Sequence, residues 1–306
     1  MDGFFVVDKP SGMTSHDVVS VVRRIVGQRK VGHTGTLDPF ATGVLPVALG
    51  EGTKAIPFLD ESVKEYRAVM RLGETTDTQD YTGSTIRRGD WLGLTSSAVE
   101  HAVMSFIGKG TQVPPMYSAI KKDGIPLYKL ARKGEDIHRE PRNMEIFSLV
   151  IEQINLPEIT FTVRCSRGVY VRTLANDMGD LLGSGAHLTV LRRNASGNFL
   201  LGSAVSLDAL ALAAKEGRLS DFLISGHDAL FHMQSLRLNN AGVARVHFGM
   251  PPDSTDFIQI PDAGLLPGER VRLNVDNQLV AVAENGMNAW PADGGKLRLL
   301  RVFNEH

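Results

Sequence analysis

The chain has 306 residues, 42% of them hydrophobic and 22% charged, with 33 Lys and Arg against 34 Asp and Glu and a formal net charge of −1. That composition excludes a disordered chain and leaves room for one large domain, or a large and a small one. A lone cysteine, Cys165, excludes an internal disulfide and any cysteine-based metal site. Gly3–Val7 is a short apolar run closed by Lys9-Pro10-Ser11-Gly12, the pattern of a strand entering a turn. Ser15 reads as a helix N-cap with Asp17 in the first turn. Val18, Val22 and Ile25 recur at helical spacing, and Gly27 stands where a C-cap glycine would. Tyr66, Ala68, Met70 and Leu72 alternate with Arg67, Val69 and Arg71, which predicts a half-buried strand whose apolar face opens at Tyr66.

Lys109–Arg142 breaks the alternation. It is rich in Lys, Arg, Gly and Pro with Tyr117 and Tyr128 interleaved, and predicts a long surface loop able to grip a nucleic-acid backbone. Phe161, Val163 and Cys165 alternate with Thr162, Arg164 and Ser166 in a further strand. Leu174, Met178 and Leu181 mark a helix ended by Gly183, with Arg172 at the strand-to-helix junction. From about Met233 short strands (Val271, Leu273 and Val275, then Leu279–Ala283, then Leu297–Val302) alternate with Pro-, Gly- and Asn-rich turns, a small β-rich unit of roughly seventy residues.

The most informative stretch is Gly32–Pro46. It holds a single carboxylate, Asp38, among glycine, threonine and apolar residues, and Pro39 pushes Asp38 toward extended backbone. No acidic residue lies between Asp17 and Asp38, whereas Arg23, Arg24, Arg29 and Lys30 all do. An isolated carboxylate approached through a basic segment suits chemistry on a polyanion. The net charge gives no support to nucleic-acid binding, but its distribution does. Lys109–Arg142 carries eight Lys and Arg against four Asp and Glu, and Thr160–Arg193 five against two, so a basic surface can form on a neutral protein.

Gly32-His33-Thr34-Gly35-Thr36-Leu37-Asp38-Pro39 with Ala41-Thr42-Gly43-Val44-Leu45-Pro46 resembles the catalytic motif of the TruB family of tRNA pseudouridine synthases. Further segments resemble that family in order. They are Asp8-Lys9-Pro10-Ser11-Gly12, Lys64-Glu65-Tyr66, Gly73-Glu74-Thr75-Thr76-Asp77-Thr78 with Asp80 and Gly83, and Gln112 with Pro114-Pro115 and Tyr117-Ser118-Ala119. Cys165–Leu174 and Leu191-Arg192-Arg193 complete the set. The resemblance runs from about Phe4 to Phe199.

It implies isomerisation of the T-loop uridine of tRNA, position 55, to pseudouridine, in which a base–sugar C–N bond breaks and the same base rejoins through carbon. Nothing is gained or lost, so no cofactor or metal is expected. By resemblance Asp38 acts as nucleophile or base on a flipped-out uridine, by attack on the ribose or ring or by taking a ribose proton. Arg172 would pair with it through its fork, and Tyr66 would stack on the uracil and help remove the proton at carbon five, although a core tyrosine fits the alternation equally well. His33 would fill the space vacated by the flipped base, Lys9 position the pocket backbone and Leu191 line it. Asp77 and Asp80 fit the second motif, while acidic residues in a Gly/Thr loop commonly serve turns. Lys121, Lys122 and Arg132 would contact phosphates.

The expected fold is α+β. A catalytic domain over residues 1–232, with an extended, mainly antiparallel sheet flanked by helices, precedes a β-rich domain over 233–306 that the resemblance makes PUA-like and RNA-binding. A cytoplasmic monomer acting on the T-arm of tRNA, with no membrane and no guide RNA, fits the single cysteine, the absence of a signal peptide and the absence of a heptad. A guide-RNA-dependent, dyskerin-type synthase shares these motifs, and a non-catalytic tRNA-binding or folding module remains the alternative from another class. A pure binder would need none of Asp38, Tyr66 and Arg172.

Overall fold

The computed structural model describes residues 1–260, 264–291 and 295–304. The chain opens with β1 (Gly3–Lys9) and α1 (Ser15–Val26), passes through β2 (Val31–His33) and β3 (Thr42–Leu49), and crosses the single-turn helix α2 (Gly52–Ala55) into β4 (Val63–Leu72). A small hairpin, β5 (Glu74–Thr76) and β6 (Thr85–Arg88), and helix α3 (Ser96–Met104) lead to β7 (Gly108–Gln112). A short excursion of β8 (Lys121–Lys122), β9 (Ile125–Pro126) and α4 (Leu127–Ala131) follows. The chain then re-enters the sheet as β10 (Arg142–Asn155) and β11 (Glu158–Ser166). Helix α5 (Val171–Leu181), β12 (Ala186–Ser196), β13 (Phe199–Leu200), α6 (Leu207–Lys215) and α7 (Gly226–Ala229) come next. The last elements are β14 (Gln234–Arg237), α8 (Asn240–His247), β15 (Arg270–Val275), β16 (Gln278–Asn285) and β17 (Leu297–Val302).

The large sheet runs β1-β3-β12-β4-β11-β10-β7, with β2 added to β3 and β13 to β12. Its pairings are antiparallel except one. β12 meets β3 in parallel at Arg192↔Thr42 and Arg193↔Gly43. Gly43 makes that junction feasible: its φ is +99°, and a Cβ there would stand 2.3 Å from the Arg193 carbonyl oxygen. In β4 the inward face is Lys64, Tyr66, Ala68, Met70 and Leu72, so the buried row begins one place earlier than the apolar residues do. β11 supplies Ile159, Phe161, Val163 and Cys165 to the same core, and α5 and α3 cover it with Leu174, Ala175, Met178, Val99 and Val103.

Three local expectations change. Thr14, not Ser15, caps α1, through a reciprocal box with Asp17. Ser15 points inward, where its hydroxyl accepts from Leu37 N (2.9 Å) and donates to Leu37 O (3.1 Å). Leu181 is 60% exposed at the end of α5, and Leu182 packs toward the core instead. The 109–142 segment is not loop throughout. β7 and β10 pair from Gln112↔Arg142 to Gly108↔Ile146, and β8 and β9 close a two-residue hairpin at Asp123-Gly124, both with positive φ.

A second sheet, β14-β15-β16-β17, has its own core of Leu236, Val246, Phe257, Val271, Leu273 and Trp290, with Phe257 and Trp290 edge to face at 5.1 Å. Helix α8, capped by Asn239, lies beside it where the sequence suggested strands and turns alone. Met233, Leu279, Val282 and Phe303 from this part pack directly on Phe4, Val6, Val44 and Ala48 of the large sheet. No helix among the described residues is long and apolar enough to cross a membrane.

Candidate active site

The segment between β2 and β3 carries Asp38, and α5 carries Arg172 to it. Arg172 Nε donates to Asp38 Oδ2 (2.8 Å) and Nη2 to Asp38 Oδ1 (3.1 Å), a two-pronged pair. The same guanidinium donates to Thr78 O and Tyr117 O, both at 2.8 Å, and its Nε lies 3.8 Å from Asp80 Oδ2. Arg172 and Asp80 side chains are almost wholly buried, at 3% and 6% exposure, whereas Asp38 keeps 30%. Burial alone would lower the Arg172 pKa, but Asp38, Asp80 and the hydrogen bonds raise it instead. The arrangement holds one carboxylate open to solvent at the edge of a sealed ion cluster, oriented on both oxygens.

Asp80 also shapes its own turn, as acidic residues in such loops do. Its carboxylate accepts from Thr78 Oγ1 (2.9 Å), Thr82 N (2.9 Å) and Thr82 Oγ1. Asp77 accepts from Ser84 N at 2.8 Å and weakly from Tyr117 Oη. Gln112 holds Tyr170, two residues ahead of Arg172, on both its backbone groups. Its Nε2 donates to Tyr170 O (3.1 Å), and its Oε1 accepts from Tyr170 N (2.8 Å).

The backbone on either side of Asp38 is pinned from below. Lys9 is fully buried, and its Nζ donates to Pro10 O, Met13 O and Pro39 O at 2.7–3.1 Å. Burial lowers its pKa to about 8, with Asp38 opposing. Arg193, also fully buried, donates to Val44 O (2.7 Å), Thr36 O (3.3 Å) and Gly35 O (3.2 Å). Sequence reasoning placed Arg193 only within a strand, because the backbone groups it holds lie about 150 positions away and leave no local signal. Behind Gly35 lies Lys64, its pKa lowered to about 8 by burial and then by Arg193. Glu61 completes this layer, accepting from Thr34 Oγ1 and, at 3.5 Å, from Ser196 Oγ.

Tyr66 stands opposite Arg193 on β4, 8% exposed, in one core cluster with Leu37, Phe40 and Leu191. Burial, moderated by Arg193, pushes its phenol up to about 12, so it is neutral at ordinary pH. His33 ends β2, half-buried, with Nδ1 lacking a partner among the described residues. Burial, then the Arg193 charge, lowers its pKa, so it is neutral as well. Lys121, Lys122 and Arg132 are not drawn into this cluster. They stand exposed on the β8–β9 hairpin and at the end of α4, with Arg132 over the Tyr128 ring at 5.5 Å. Tyr117 O on Arg172 links the insertion directly to the Asp38–Arg172 pair.

The domain described as TruB family pseudouridylate synthase (N terminal domain) matches residues 23–171, and the tRNA pseudouridylate synthase B C-terminal domain matches 172–230. The chain is 57% identical to tRNA pseudouridine synthase B of Geotalea uraniireducens (strain Rf4), over 99% of this chain and 98% of the relative. It is equally similar to the protein of that name from Geobacter sulfurreducens (strain ATCC 51573 / DSM 12127 / PCA), over 99% and 100%. Among solved structures, a Cbf5-Nop10-Gar1 complex matches with a TM-score of 0.75 at 26% identity, covering 99% of this chain and 85% of that one. With the Gly32–Pro46 motif and Arg172 joined in space and the match extending over nearly the whole length, the chain belongs to the TruB family of pseudouridylate synthases.

Proposed function

We propose that the protein isomerises the T-loop uridine of tRNA, position 55, to pseudouridine, with Asp38 as the reacting carboxylate. The two-pronged Arg172–Asp38 pair carries this reading, because it fixes both oxygens of the one partly open carboxylate in an otherwise sealed cluster. In the reaction the N1–C1′ bond breaks and a C5–C1′ bond forms, while carbon five loses a proton and N1 gains one. Asp38 can serve by attacking the ribose, attacking the ring or taking a ribose proton, and all three need an ionised carboxylate. Arg172 holds that carboxylate through two charge-assisted hydrogen bonds.

Tyr66, held neutral, takes up the proton from carbon five only by passing its own on, so it serves as a stacking face and relay rather than a free phenolate. His33, neutral and half-buried at the rim, suits the wedge role that replaces the flipped base; flipping costs a few kcal/mol. Lys9 and Arg193 position the Asp38 backbone, and Leu191 lines the pocket. Lys121, Lys122 and Arg132 form the phosphate grip. We read residues 1–232 as the catalytic domain, 233–306 as a PUA-like RNA-binding domain, and the whole as a cytoplasmic monomer. The relatives named tRNA pseudouridine synthase B stand at 57% identity, against 26% for the Cbf5 complex, which favours a stand-alone enzyme over a guide-dependent one.

The test is tritium release from a T-arm stem-loop labelled at carbon five of uridine, without guide RNA or cofactor. Wild-type protein should release tritium. Asp38→Asn should release none while binding the RNA within a few-fold of wild type. Turnover near wild type in Asp38→Asn would sink the assignment of Asp38, and no release by wild type with binding intact would move the reading to the guide-dependent enzyme.

A further inference from the structure

Tyr81 is 53% exposed although it directly follows Asp80, whose side chain is buried beside Arg172. Its ring stands edge to face with Phe40, two residues beyond Asp38, with centroids 5.7 Å apart and planes at 90°. Phe40 belongs to the core cluster that also holds Leu37, Tyr66 and Leu191. In a perpendicular pair at least one face of Tyr81 is free of Phe40, whichever ring presents its edge. The mount is rigid. Tyr81 N donates to Leu188 O at 2.8 Å, Gly83 N closes onto Asp80 O at 3.3 Å, and the Asp80 carboxylate accepts from Thr78 and Thr82 on either side. An exposed aromatic face braced on Phe40, two residues beyond Asp38, has no packing role that accounts for its exposure.

We propose that Tyr81 is a stacking platform for an unpaired base of the RNA substrate neighbouring the flipped uridine. The proposal rests on the RNA-isomerase reading above and adds a substrate-binding residue to it. Extruding one nucleotide leaves its neighbours without a stacking partner, and an aromatic side chain restores one to any base, since every base has a π face. Because Tyr81 is braced by Phe40 and by its turn, little side-chain freedom is lost when a base settles on it. The chemistry selects a single-stranded nucleic acid base, not a phosphate, because the Tyr81 turn offers carboxylates and hydroxyls and no cation besides the already engaged Arg172.

The experiment pairs steady-state kinetics with fluorescence, using the full chain and a T-arm stem-loop bearing 2-aminopurine next to the target uridine. Wild type and Tyr81→Phe should quench the fluorophore and share one KM. Tyr81→Leu, which keeps an apolar contact for Phe40 but has no π face, should lose the quench and raise KM on the order of tenfold, with a smaller change in kcat. Tyr81→Ala should do the same, and thermal melting of each variant establishes that it is folded. Quenching and KM equal to wild type in Tyr81→Leu would overturn the proposal. So would a fall in kcat with KM and quench intact, the mark of a residue that only braces Phe40. The quench reads stacking whether or not the RNA is turned over. Failure of the isomerase reading therefore appears separately, as absent tritium release by the wild-type protein.

Discussion

Arg172 is a buried cation with four good acceptors, and its geometry decides what a substitution does. A lysine there keeps the charge but offers a point instead of a fork, so one Asp38 oxygen and at least one of the carbonyls of Thr78 and Tyr117 lose their donor. Arg172→Lys should lower kcat on the order of a hundredfold while leaving RNA affinity within a few-fold, as read by single-turnover tritium release beside filter binding. A loss confined to affinity would place Arg172 on the substrate backbone instead. Lys64 gives a different test. Its folded pKa, about 8, lies below the ordinary 10.5, so between those values the unfolded chain binds more protons and stability rises with pH through that window. Lys64→Met is free of this term. At pH 7 the wild type therefore carries a burial penalty of order 3 kcal/mol that the variant lacks. Relative to Lys64→Met, the wild-type urea midpoint should gain from pH 7 to pH 10, and a constant difference would mean the ammonium is well solvated.

At the scale of elements, the 109–142 segment joins a rigid root to a charged tip. β7 and β10 tie it to the sheet edge, and Tyr117 O reaches Arg172, while Lys121, Lys122, Arg132 and Lys133 stay exposed. Neutralising those four should weaken RNA binding and flatten its dependence on salt by about one unit of log–log slope for each phosphate left without its cation. An unchanged slope would mean that the tip does not touch phosphate. Much of this architecture was legible in the sequence. The alternation in β4 and β11 marked their inward faces, Gly27 marked the end of α1 with its left-handed φ of 64°, and the motif residues marked Asp38 and Arg172. What escaped has a common physical origin. Ser15 and Arg193 act through backbone groups of residues far away in sequence, which no spacing rule records. The parallel junction of β3 and β12 depends on strand order. Helix α8 is short, and its tertiary packing on β16 outweighs a weak local signal.

The whole molecule is held across its two sheets by a shared core, in which Phe4, Val6, Val44 and Ala48 meet Met233, Leu279, Val282 and Phe303. Glu51 adds a polar tie. It accepts from Lys30, Lys54 and Asn304 N; burial opposes its ionisation, but these donors win and lower its pKa to about 2. Units sharing so many buried side chains should unfold together, so calorimetry should give one transition whose calorimetric and van't Hoff enthalpies agree. Two resolved transitions would show that the shared core couples them weakly.

The pairing of Asp38 with Arg172 spans 134 positions of sequence. In kinetic terms, that separation makes reactivity a late event in the life of each molecule. The guanidinium should meet its carboxylate only once β4 and β11, which separate the two in the chain, are paired, since closing so long a loop is slow compared with forming helices and hairpins. A chain still emerging or still collapsing therefore has no Asp38 carboxylate held on both oxygens. Recovered tritium release during refolding should lag behind recovered far-ultraviolet circular dichroism, which makes catalysis itself a clock for the last step of assembly.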